Sequence, residues 1–432
     1  MTTSQKPLQK LSIFSLKGIQ MRTFHLSWLA FFMCFFGWFG LAPLMKIVKD
    51  DLGLDKGQIG NIIISSVAAT VIARVLVGRL CDTWGPRKTY TALLAICALP
   101  VMAVGLSYNY ETFLLFRLAI GVIGASFVIT QYHTSVMFDP KIVGTANAVS
   151  GGWGNLGGGV TNMVMPLIFA GFVGLGYLPA AAWRLAMVVP GVLLLVMAVL
   201  YWRFTKDTPA GNFEDLPARS AKATKEGSLR EAARDPRTWI LFLAYGACFG
   251  IEVTFDNVAA LFFAEKFGAS LTLAGLLAGA FGFMNIFARA LGGMLADHVG
   301  NRFGMAGKGW LLAGLLVLEG AGIAIFGLTD NLTMAIISMI IFALFLKMAN
   351  GTTYAIVPFV NRKALGSVSG IVGAGGNVGA VLAGFLFKSS SLTYSDAFMY
   401  IGLAVVLVGG IVAVTRFTTK KEVIEEPELA VA

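Results

Sequence analysis

Charged residues are scarce in this sequence. Asp, Glu, Lys and Arg together make up 13% of its 432 residues, while 57% of the residues are hydrophobic. A soluble domain carries roughly 25% charged residues, so this composition excludes an ordinary soluble fold and indicates a polytopic membrane protein. The formal net charge of +10 lies mostly in loops and tails, so it indicates orientation in the bilayer and not nucleic-acid binding.

Cysteine is also rare, and so are motifs for nucleotide-driven chemistry. The four cysteines lack the spacing of a metal site and are best explained as small apolar side chains: Cys34, Cys81, Cys97 and Cys248. No Gly-x-x-x-x-Gly-Lys-[Ser/Thr] run occurs, which argues against ATP-driven transport on this chain. We therefore expect no metal, no cofactor and no enzymatic activity.

Hydrophobic runs fill most of the chain. Each is long enough to cross a lipid bilayer as a helix. There are twelve, at 24–44, 58–80, 89–108, 113–136, 145–171, 184–204, 238–262, 271–296, 309–328, 332–358, 366–387 and 396–416. The sequence therefore predicts an all-α membrane protein with twelve transmembrane helices.

One long polar stretch divides these runs into two sets of six. The first run is expected to be a true span, because no cleavable signal sequence precedes it. The expected order is a cytoplasmic N-terminal segment (1–23), an N-terminal six-helix bundle (24–204), a cytoplasmic linker (205–237), a C-terminal six-helix bundle (238–416) and a cytoplasmic tail (417–432).

Lysine and arginine are unevenly distributed between the loops. One set of alternate loops carries Arg79, Arg87, Lys88, Lys141, Arg302, Lys308, Arg362 and Lys363. On the other side, 172–183 has no charged residue, although 45–57 carries balanced charges. Because positively charged loops face the cytoplasm, both termini are predicted to be cytoplasmic, in a protein of the cytoplasmic (inner) membrane.

An arginine lies inside the second hydrophobic run, and its surroundings recur in the eighth. Each arginine is followed after 8, 11 and 13 residues by Asp, Gly and Arg, which gives Arg74, Asp82, Gly85 and Arg87, and Arg289, Asp297, Gly300 and Arg302. Four matched positions, 215 residues apart, indicate two similar halves. An arginine inside the bilayer is costly, so both are candidate functional residues.

The depth of these arginines can be estimated from the helix rise. Asp82 is expected at the membrane interface, and eight residues of helix rise about 12 Å. Half of the hydrocarbon core is about 15 Å, so Arg74 and Arg289 are predicted near the midplane, where transporters bind substrates between their repeats. Two facing guanidinium groups, planar and permanently charged, predict an anionic substrate.

A glycine-rich pattern forms a second repeat. Gly-Asn-x-Gly occurs at 154–157 in the fifth run and at 376–379 in the eleventh. Gly154 and Gly376 would let a helix or a ligand approach closely, and helix packing alone would explain them equally well. Asn155 and Asn377 favour ligand binding, because a carboxamide donates to an anion without adding charge.

These motifs resemble a known family. Gly78–Lys88 is similar to the Gly-x-x-x-Asp-x-x-Gly-x-Arg-[Arg/Lys] loop motif of the major facilitator superfamily, with Thr83 where arginine is usual. The glycine-rich runs resemble the nitrate signatures of the nitrate/nitrite porter family. The runs 74–82, 152–161, 287–293, 357–360 and 373–377 resemble its high-affinity nitrate transporters. The resemblance implies two pseudo-symmetric six-helix halves and gating-loop motifs at Gly78, Asp82, Arg87, Asp297 and Arg302.

The resemblance also implies a nitrate site between the halves. Arginines would sandwich the anion, an asparagine would hydrogen-bond it, and aromatic rings would close the site. The expected substrate-binding set is Arg74, Arg289, Asn155, Asn377, Tyr245, Phe249, Phe127, Gly154 and Gly376. Nitrate is planar, monovalent and weakly hydrated, so it matches the guanidinium fork, and nitrite, with the same charge, should also be accepted.

Three acids in apolar surroundings are candidates for coupling anion uptake to protons. Glu252 and Asp256 lie four residues apart on one helical face, and Glu319 lies in the ninth run. Glu252 is the first choice, and its alternatives are a role as countercharge for the arginines or a polar contact near the outer half. Lys347 is expected to pair with an acid, and His133 is better explained as a satisfied buried histidine than as a proton relay.

The first-ranked function is therefore proton-coupled nitrate uptake by alternating access in a functional monomer. Nitrate/nitrite exchange in the same fold is the first alternative. An organic-phosphate porter ranks lower, because the tight glycine signatures leave little room for a phosphate ester. An anion channel or a sensor ranks last, because matched repeats favour alternating access.

Overall fold

The computed structural model describes residues 7–216, 229–269, 271–388 and 392–417. Within them, ten stretches are long and apolar enough to cross a membrane. One stretch, Leu276–Leu328, contains two helices that meet at Gly304, where φ is 65° and ψ is −161°. Lys56–Trp84 adds a helix of 29 residues, which at 1.5 Å per residue exceeds the ~30 Å hydrocarbon core. The described residues thus form the twelve predicted crossings.

We number these crossings α1 to α12. Their bounds are Gly18–Phe39 (α1), Lys56–Trp84 (α2), Pro86–Ala103 (α3), Tyr110–Met137 (α4), Val143–Gly174 (α5), Pro179–Phe204 (α6), Pro236–Phe267 (α7), 271–303 (α8), 305–328 (α9), Leu332–Ile356 (α10), Leu365–Lys388 (α11) and Tyr394–Val414 (α12). Among the described residues, two short α-helices lie between crossings, at Met45–Leu52 and Leu229–Arg234.

Several crossings begin at capping residues that are visible in the sequence. The carboxylate of Asp55 accepts the backbone N–H of Gln58 at 2.8 Å, and the side chain of Gln58 accepts the N–H of Asp55 in return, so α2 starts with a capping box. Asp235 caps α7 just before a proline at its first position. Both caps place the start of their helices within two residues of the predicted boundaries.

The prediction was wrong between the eighth and ninth crossings. The sequence suggested a loop from 297 to 308, whereas the helix continues through Asp297 and Arg302 as far as Gly304. Lys308 explains the difference, because its ammonium donates to the carboxylate of Asp297 at 3.0 Å and to the carbonyl of Ala355 at 3.1 Å. These contacts satisfy polar groups that would otherwise need solvent in a loop.

The segments predicted to flank the bundles lie only partly within the described residues. The described residues exclude 1–6 of the N-terminal segment, 217–228 of the linker and 418–432 of the tail. α1 begins at Gly18, six residues before the expected boundary. The division into bundles at 24–204 and 238–416 stays a prediction.

Glycines allow close helix contacts at the end of the bundle that carries Asp82 and Asp297, called the motif end below. A Cβ on Gly78 of α2 would lie 2.2 Å from the carbonyl oxygen of Gly366 at the start of α11. A Cβ on Gly293 of α8 would lie 2.5 Å from the carbonyl oxygen of Gly144 at the start of α5. Any side chain at these glycines would separate the paired helices.

The two motif aspartates strengthen the same contacts. Asp82 accepts the backbone N–H groups of Gly366 and Ser367 at 2.9 and 2.8 Å, and the hydroxyl of Ser367 at 2.7 Å. Asp297 accepts the N–H and the hydroxyl of Thr145 at 2.6 and 2.9 Å. Each carboxylate thus binds the N-terminus of a helix from the opposite half of the sequence, where the helix dipole favours negative charge. Together these contacts close the motif end.

Candidate functional site

Two buried arginines face the same aromatic rings. Arg74 on α2 is 0% exposed and Arg289 on α8 is 1% exposed. The Cζ atom of Arg74 lies 5.0 Å from the ring centroid of Phe249 and 5.5 Å from that of Phe127. The Cζ atom of Arg289 lies 5.8 and 5.6 Å from the same two centroids. The structure therefore brings together two cations that are 215 residues apart in the sequence.

Arg74 is held firmly by backbone and amide oxygens. Its Nε donates to the carbonyl of Gly124 at 3.1 Å, and its Nη1 donates to the carbonyl of Gly373. With its amide oxygen turned toward the guanidinium, Asn377 accepts from Nε and Nη1 at 3.1 Å. The remaining nitrogen, Nη2, is buried without a hydrogen-bond partner in the described structure. Arg74 thus keeps one unused nitrogen, which carries two N–H donors.

Arg289 is held more loosely. Its Nη1 lies 3.5 Å from the carbonyl of Gly151, its Nη2 lies 3.4 Å from the hydroxyl of Tyr245, and Nη2 lies 4.0 Å from the carboxylate of Glu252. These distances exceed the 2.7–3.2 Å of a strong N–H···O bond. The guanidinium of Arg289 is therefore available for a better acceptor.

Each glycine signature contacts the arginine from the opposite half of the sequence. The carbonyl of Gly373 of α11 accepts from Arg74, and the carbonyl of Gly151 of α5 lies 3.5 Å from Nη1 of Arg289. Asn377 and Asn155 each lie four residues after these glycines, which is one helical turn further on the same face. Asn377 binds Arg74, whereas the Nδ2 of Asn155 is buried with no partner among the described residues. Asn155 therefore offers a further unused donor.

Three aromatic rings form a parallel wall beside the guanidinium groups. Tyr245 and Phe249 are stacked with centroids 5.0 Å apart and planes at 1°, and Phe127 lies 5.7 Å from Tyr245 with planes at 10°. All three are nearly or fully buried. The expected aromatic residues from α4 and α7 thus lie together at the arginines.

Sequence reasoning missed a fourth ring, Tyr354 of α10. Its centroid lies 4.7 Å from Phe127 and 4.9 Å from Tyr245, with interplanar angles of 84° and 74°. Its hydroxyl donates to the carbonyl of Ser369 at 3.2 Å. The only signal was its position three residues before the 357–360 run noted above.

Gly154 and Gly376 lie against aromatic rings, and the asparagine that follows each glycine carries a polar side chain. A Cβ on Gly154 would lie 1.9 Å from Cδ1 of Phe31, and a Cβ on Gly376 would lie 2.6 Å from Cδ1 of Phe249. Phe31 in turn packs 5.4 Å from Phe127. Both glycines therefore make room for the aromatic side chains that surround the arginines.

Glu252 is the centre of a buried polar cluster next to Arg289. Its Oε1 accepts from the ammonium of Lys347 at 2.7 Å and from the amide of Asn285 at 2.7 Å, and its Oε2 accepts from the amide of Asn350 at 2.6 Å. The expected pairing of Lys347 with an acid is confirmed. Asn285 and Asn350 were not anticipated, because only the packing of α8 and α10 against α7 reveals them.

The other two candidate acids lie in different surroundings. Asp256 is exposed and lies one turn beyond Glu252 on α7. Glu319 of α9 is 0% exposed, and neither of its carboxylate oxygens has a partner in the described part of the chain. The structure thus offers one paired acid, one exposed acid and one buried acid without a partner.

His133 binds groups at and just beyond the end of α6. Its Nδ1 is 2.6 Å from the hydroxyl of Tyr201, and its Nε2 is 2.6 Å from the carbonyl of Lys206. Both ring nitrogens are therefore satisfied, as the sequence analysis favoured.

The two motif arginines have different contacts. Arg87 donates twice to the carbonyl of Trp202, at 2.9 and 2.7 Å, near the end of α6. Arg302 is exposed and has its Cζ 5.3 Å from the ring centroid of Phe303. The repeat in the sequence is thus not matched by equal contacts at these two positions.

Comparison with known proteins identifies the family of this chain. The model of the Major Facilitator Superfamily matches residues 27–384. A rice protein named "High-affinity nitrate transporter 2.3" is 38% identical over 398 residues, covering 91% of this chain and 77% of its own. The "Nitrate/nitrite transporter NrtP" of Picosynechococcus is 29% identical over 450 residues, covering 83% of each chain.

A solved structure supports the fold. The proton:xylose symporter XylE, bound to 6-bromo-6-deoxy-D-glucose, matches with a TM-score of 0.68 over 91% of this chain and 95% of that chain. Its sequence identity is 13%, so the likeness concerns the fold alone. The twelve crossings, the matched family model and the similar transporters agree with the resemblance seen in the motifs. The chain therefore belongs to the Major Facilitator Superfamily and, within it, to the nitrate/nitrite porter family.

Proposed function

We propose that this protein transports nitrate, and also nitrite, across the cytoplasmic membrane by alternating access. The observation that carries the proposal is the pair of buried guanidinium groups from opposite halves of the sequence, which face one aromatic wall. The printed names of the rice and Picosynechococcus relatives support these two anions. A planar, weakly hydrated anion suits such a site, because the fork donors match its oxygens and the rings tolerate its low hydration.

The unused donors suggest how the anion is held. Nitrate would accept from Nη2 of Arg74, from the loosely held guanidinium of Arg289 and from Nδ2 of Asn155. Asn377 would position Arg74 through its amide oxygen. Phe127, Tyr245 and Phe249 would form the wall, and Gly154 and Gly376 would let the rings approach.

Alternating access would use the contacts at the motif end. Asp82 and Asp297 must leave the N-termini of α11 and α5 before that end can open. The positive-inside rule would place this end in the cytoplasm, together with both termini. The bundles at 24–204 and 238–416 would then move about the central site in a functional monomer.

Coupling to protons is the finer part of the proposal. Without a bound anion, the site would hold the two guanidinium charges, compensated only in part by Glu252. Moving this net charge through a low-dielectric barrier is costly. Proton-coupled uptake would reduce this charge with an ionisable group, whereas nitrate/nitrite exchange would never return the site empty. The name of the Picosynechococcus relative includes both anions, and a site that accepts both keeps nitrate/nitrite exchange as the second candidate.

Uptake by purified protein in proteoliposomes tests these alternatives. Isotope-labelled nitrate should enter protein-containing vesicles and not protein-free vesicles. Acceleration by an inward proton gradient without internal nitrite would support symport. Uptake that requires internal nitrite and ignores the gradient would support exchange, and absence of nitrate flux under both conditions would refute the proposed function.

A further inference from the structure

Glu319 is a buried acid that takes no part in the proposed anion site. It lies in α9, is 0% exposed, and neither carboxylate oxygen has a partner within the described residues. An ionised carboxylate without a donor is far more costly to bury than a neutral acid. The conformation with the closed motif end therefore suits a Glu319 that holds a proton.

The ionisable neighbours of Glu319 come from two helices. Glu252 and Cys248 of α7 and Lys347 of α10 interact electrostatically with Glu319. The third helix packed against α9 is α12, whose only charged residue is Asp396 in its exposed first turn. Lys347 is thus the cation to which an ionised Glu319 would turn.

Glu252 lies between two cations and binds them unequally. Its carboxylate is 2.7 Å from the ammonium of Lys347 and 4.0 Å from the guanidinium of Arg289. Lys347 therefore neutralises most of the charge on Glu252 in this structure. As a result, Arg289 remains available to the anion.

We infer that Glu319 is the exchangeable proton site that couples proton and anion movement, acting through Lys347, Glu252 and Arg289. When Glu319 loses its proton, Lys347 is drawn toward it and away from Glu252. Glu252 then pairs with Arg289 and occupies the guanidinium that nitrate needs. When Glu319 is protonated, the pairing seen in this structure returns and nitrate can bind. This inference rests on the proposed function.

The charge of the buried groups is consistent with one proton moving with each nitrate. Empty, with Glu319 ionised, the site has three cations and two anions: Arg74, Arg289, Lys347, Glu252 and Glu319. In the loaded state, protonation of Glu319 removes one negative charge, and bound nitrate adds one. The net charge of +1 is therefore the same in the empty and the loaded state, so the two conformational changes have the same electrostatic cost.

Nitrate binding to detergent-solubilised full-length protein tests the linkage directly. Calorimetry over a range of rising pH values should show affinity for nitrate falling at least about fivefold as Glu319 deprotonates, a size typical of coupled sites. Glu319→Gln mimics the neutral acid and should bind nitrate equally well across this range. Glu111→Gln, in the exposed first turn of α4, should keep the pH dependence of the unmodified protein.

Transport gives a second readout that a merely structural role would not produce. Vesicles with Glu319→Gln should retain nitrate/nitrite exchange and lose accumulation driven by a proton gradient, together with proton uptake reported by an internal pH dye. Lys347→Met should weaken nitrate binding at every pH, because Glu252 would then pair with Arg289.

The outcomes separate this inference from the proposed function. If the unmodified protein neither binds nor exchanges nitrate, the proposed function fails, and this inference fails with it. If it binds nitrate without pH dependence, or if Glu319→Gln keeps proton-driven accumulation, the inference alone is overturned. It is also overturned if Asp256→Asn, and not Glu319→Gln, removes the pH dependence.

Discussion

Replacing Arg74 by lysine keeps the positive charge of the site and removes its planar fork. Arg74 donates to the carbonyls of Gly124 and Gly373 and to the amide oxygen of Asn377, and its Nη2 remains unused. A lysine has one nitrogen and cannot replace these donors and also bind the anion. We therefore expect Arg74→Lys to lose affinity for nitrate even if the protein folds.

The size of the loss follows from the hydrogen bonds concerned. A hydrogen bond to a charged group contributes about 1.5–3 kcal/mol, and each 1.4 kcal/mol changes affinity tenfold. Losing the bond from Nη2 should therefore raise the Kd for nitrate roughly 10- to 100-fold. The amide oxygen of Asn377, left without its donor, should lower stability by about 1–3 kcal/mol.

Calorimetry and thermal unfolding of purified protein measure the two effects separately. Arg302→Lys is the matched control, because Arg302 is an exposed arginine outside the site, and it should change neither the Kd nor the Tm. If a protein with lysine at both 74 and 289 bound and transported nitrate at near-normal levels, the bidentate reasoning would be refuted.

Three further changes test other parts of the site. Gly376→Ala should abolish uptake without preventing membrane insertion, because its Cβ would lie 2.6 Å from a ring of the aromatic wall. Gly410→Ala is the control and should remain active, because open space surrounds that position. Equal uptake by the two variants would contradict the packing argument. Asp82→Asn should slow uptake while leaving nitrate binding, measured by calorimetry, intact. The contacts of Asp82 with Ser367 close the motif end, which lies away from the arginines. Loss of nitrate binding would show that the motif end and the anion site are not separate. Tyr245→Phe should raise KM for nitrate only a few-fold in an uptake assay, because its hydroxyl lies 3.4 Å from the second arginine, beyond a strong hydrogen bond; complete loss would show that the hydroxyl binds the anion.

Much of the fold was predictable because bilayer constraints are local. The length of each hydrophobic run predicts a crossing, and capping residues such as Asp55 mark where a helix begins. The join between α8 and α9 was missed because Lys308 reaches back to Asp297 and to α10. Such a contact depends on packing and leaves no periodic signal in the sequence.

The site was predictable where its residues occur in repeats. The spacing around Arg74 and Arg289 and the Gly-Asn-x-Gly pattern that contains Asn377 identified polar groups that the structure brings to one place. Tyr354 occurs once and in an apolar run, so it could not be distinguished from an ordinary packing residue. The difference between paired Glu252 and unpaired Glu319 likewise depends on which helices α7 and α9 contact.

The central claim is that the paired arginines carry nitrate across the membrane. Counterflow tests it most directly: vesicles with purified protein are loaded with unlabelled anion and diluted into a trace of isotope-labelled nitrate. We predict transient accumulation of label when the vesicles contain nitrate or nitrite, and none when they contain a sugar phosphate or when lysine replaces both Arg74 and Arg289. Accumulation driven only by the sugar phosphate, or unaffected by the double replacement, would contradict the account.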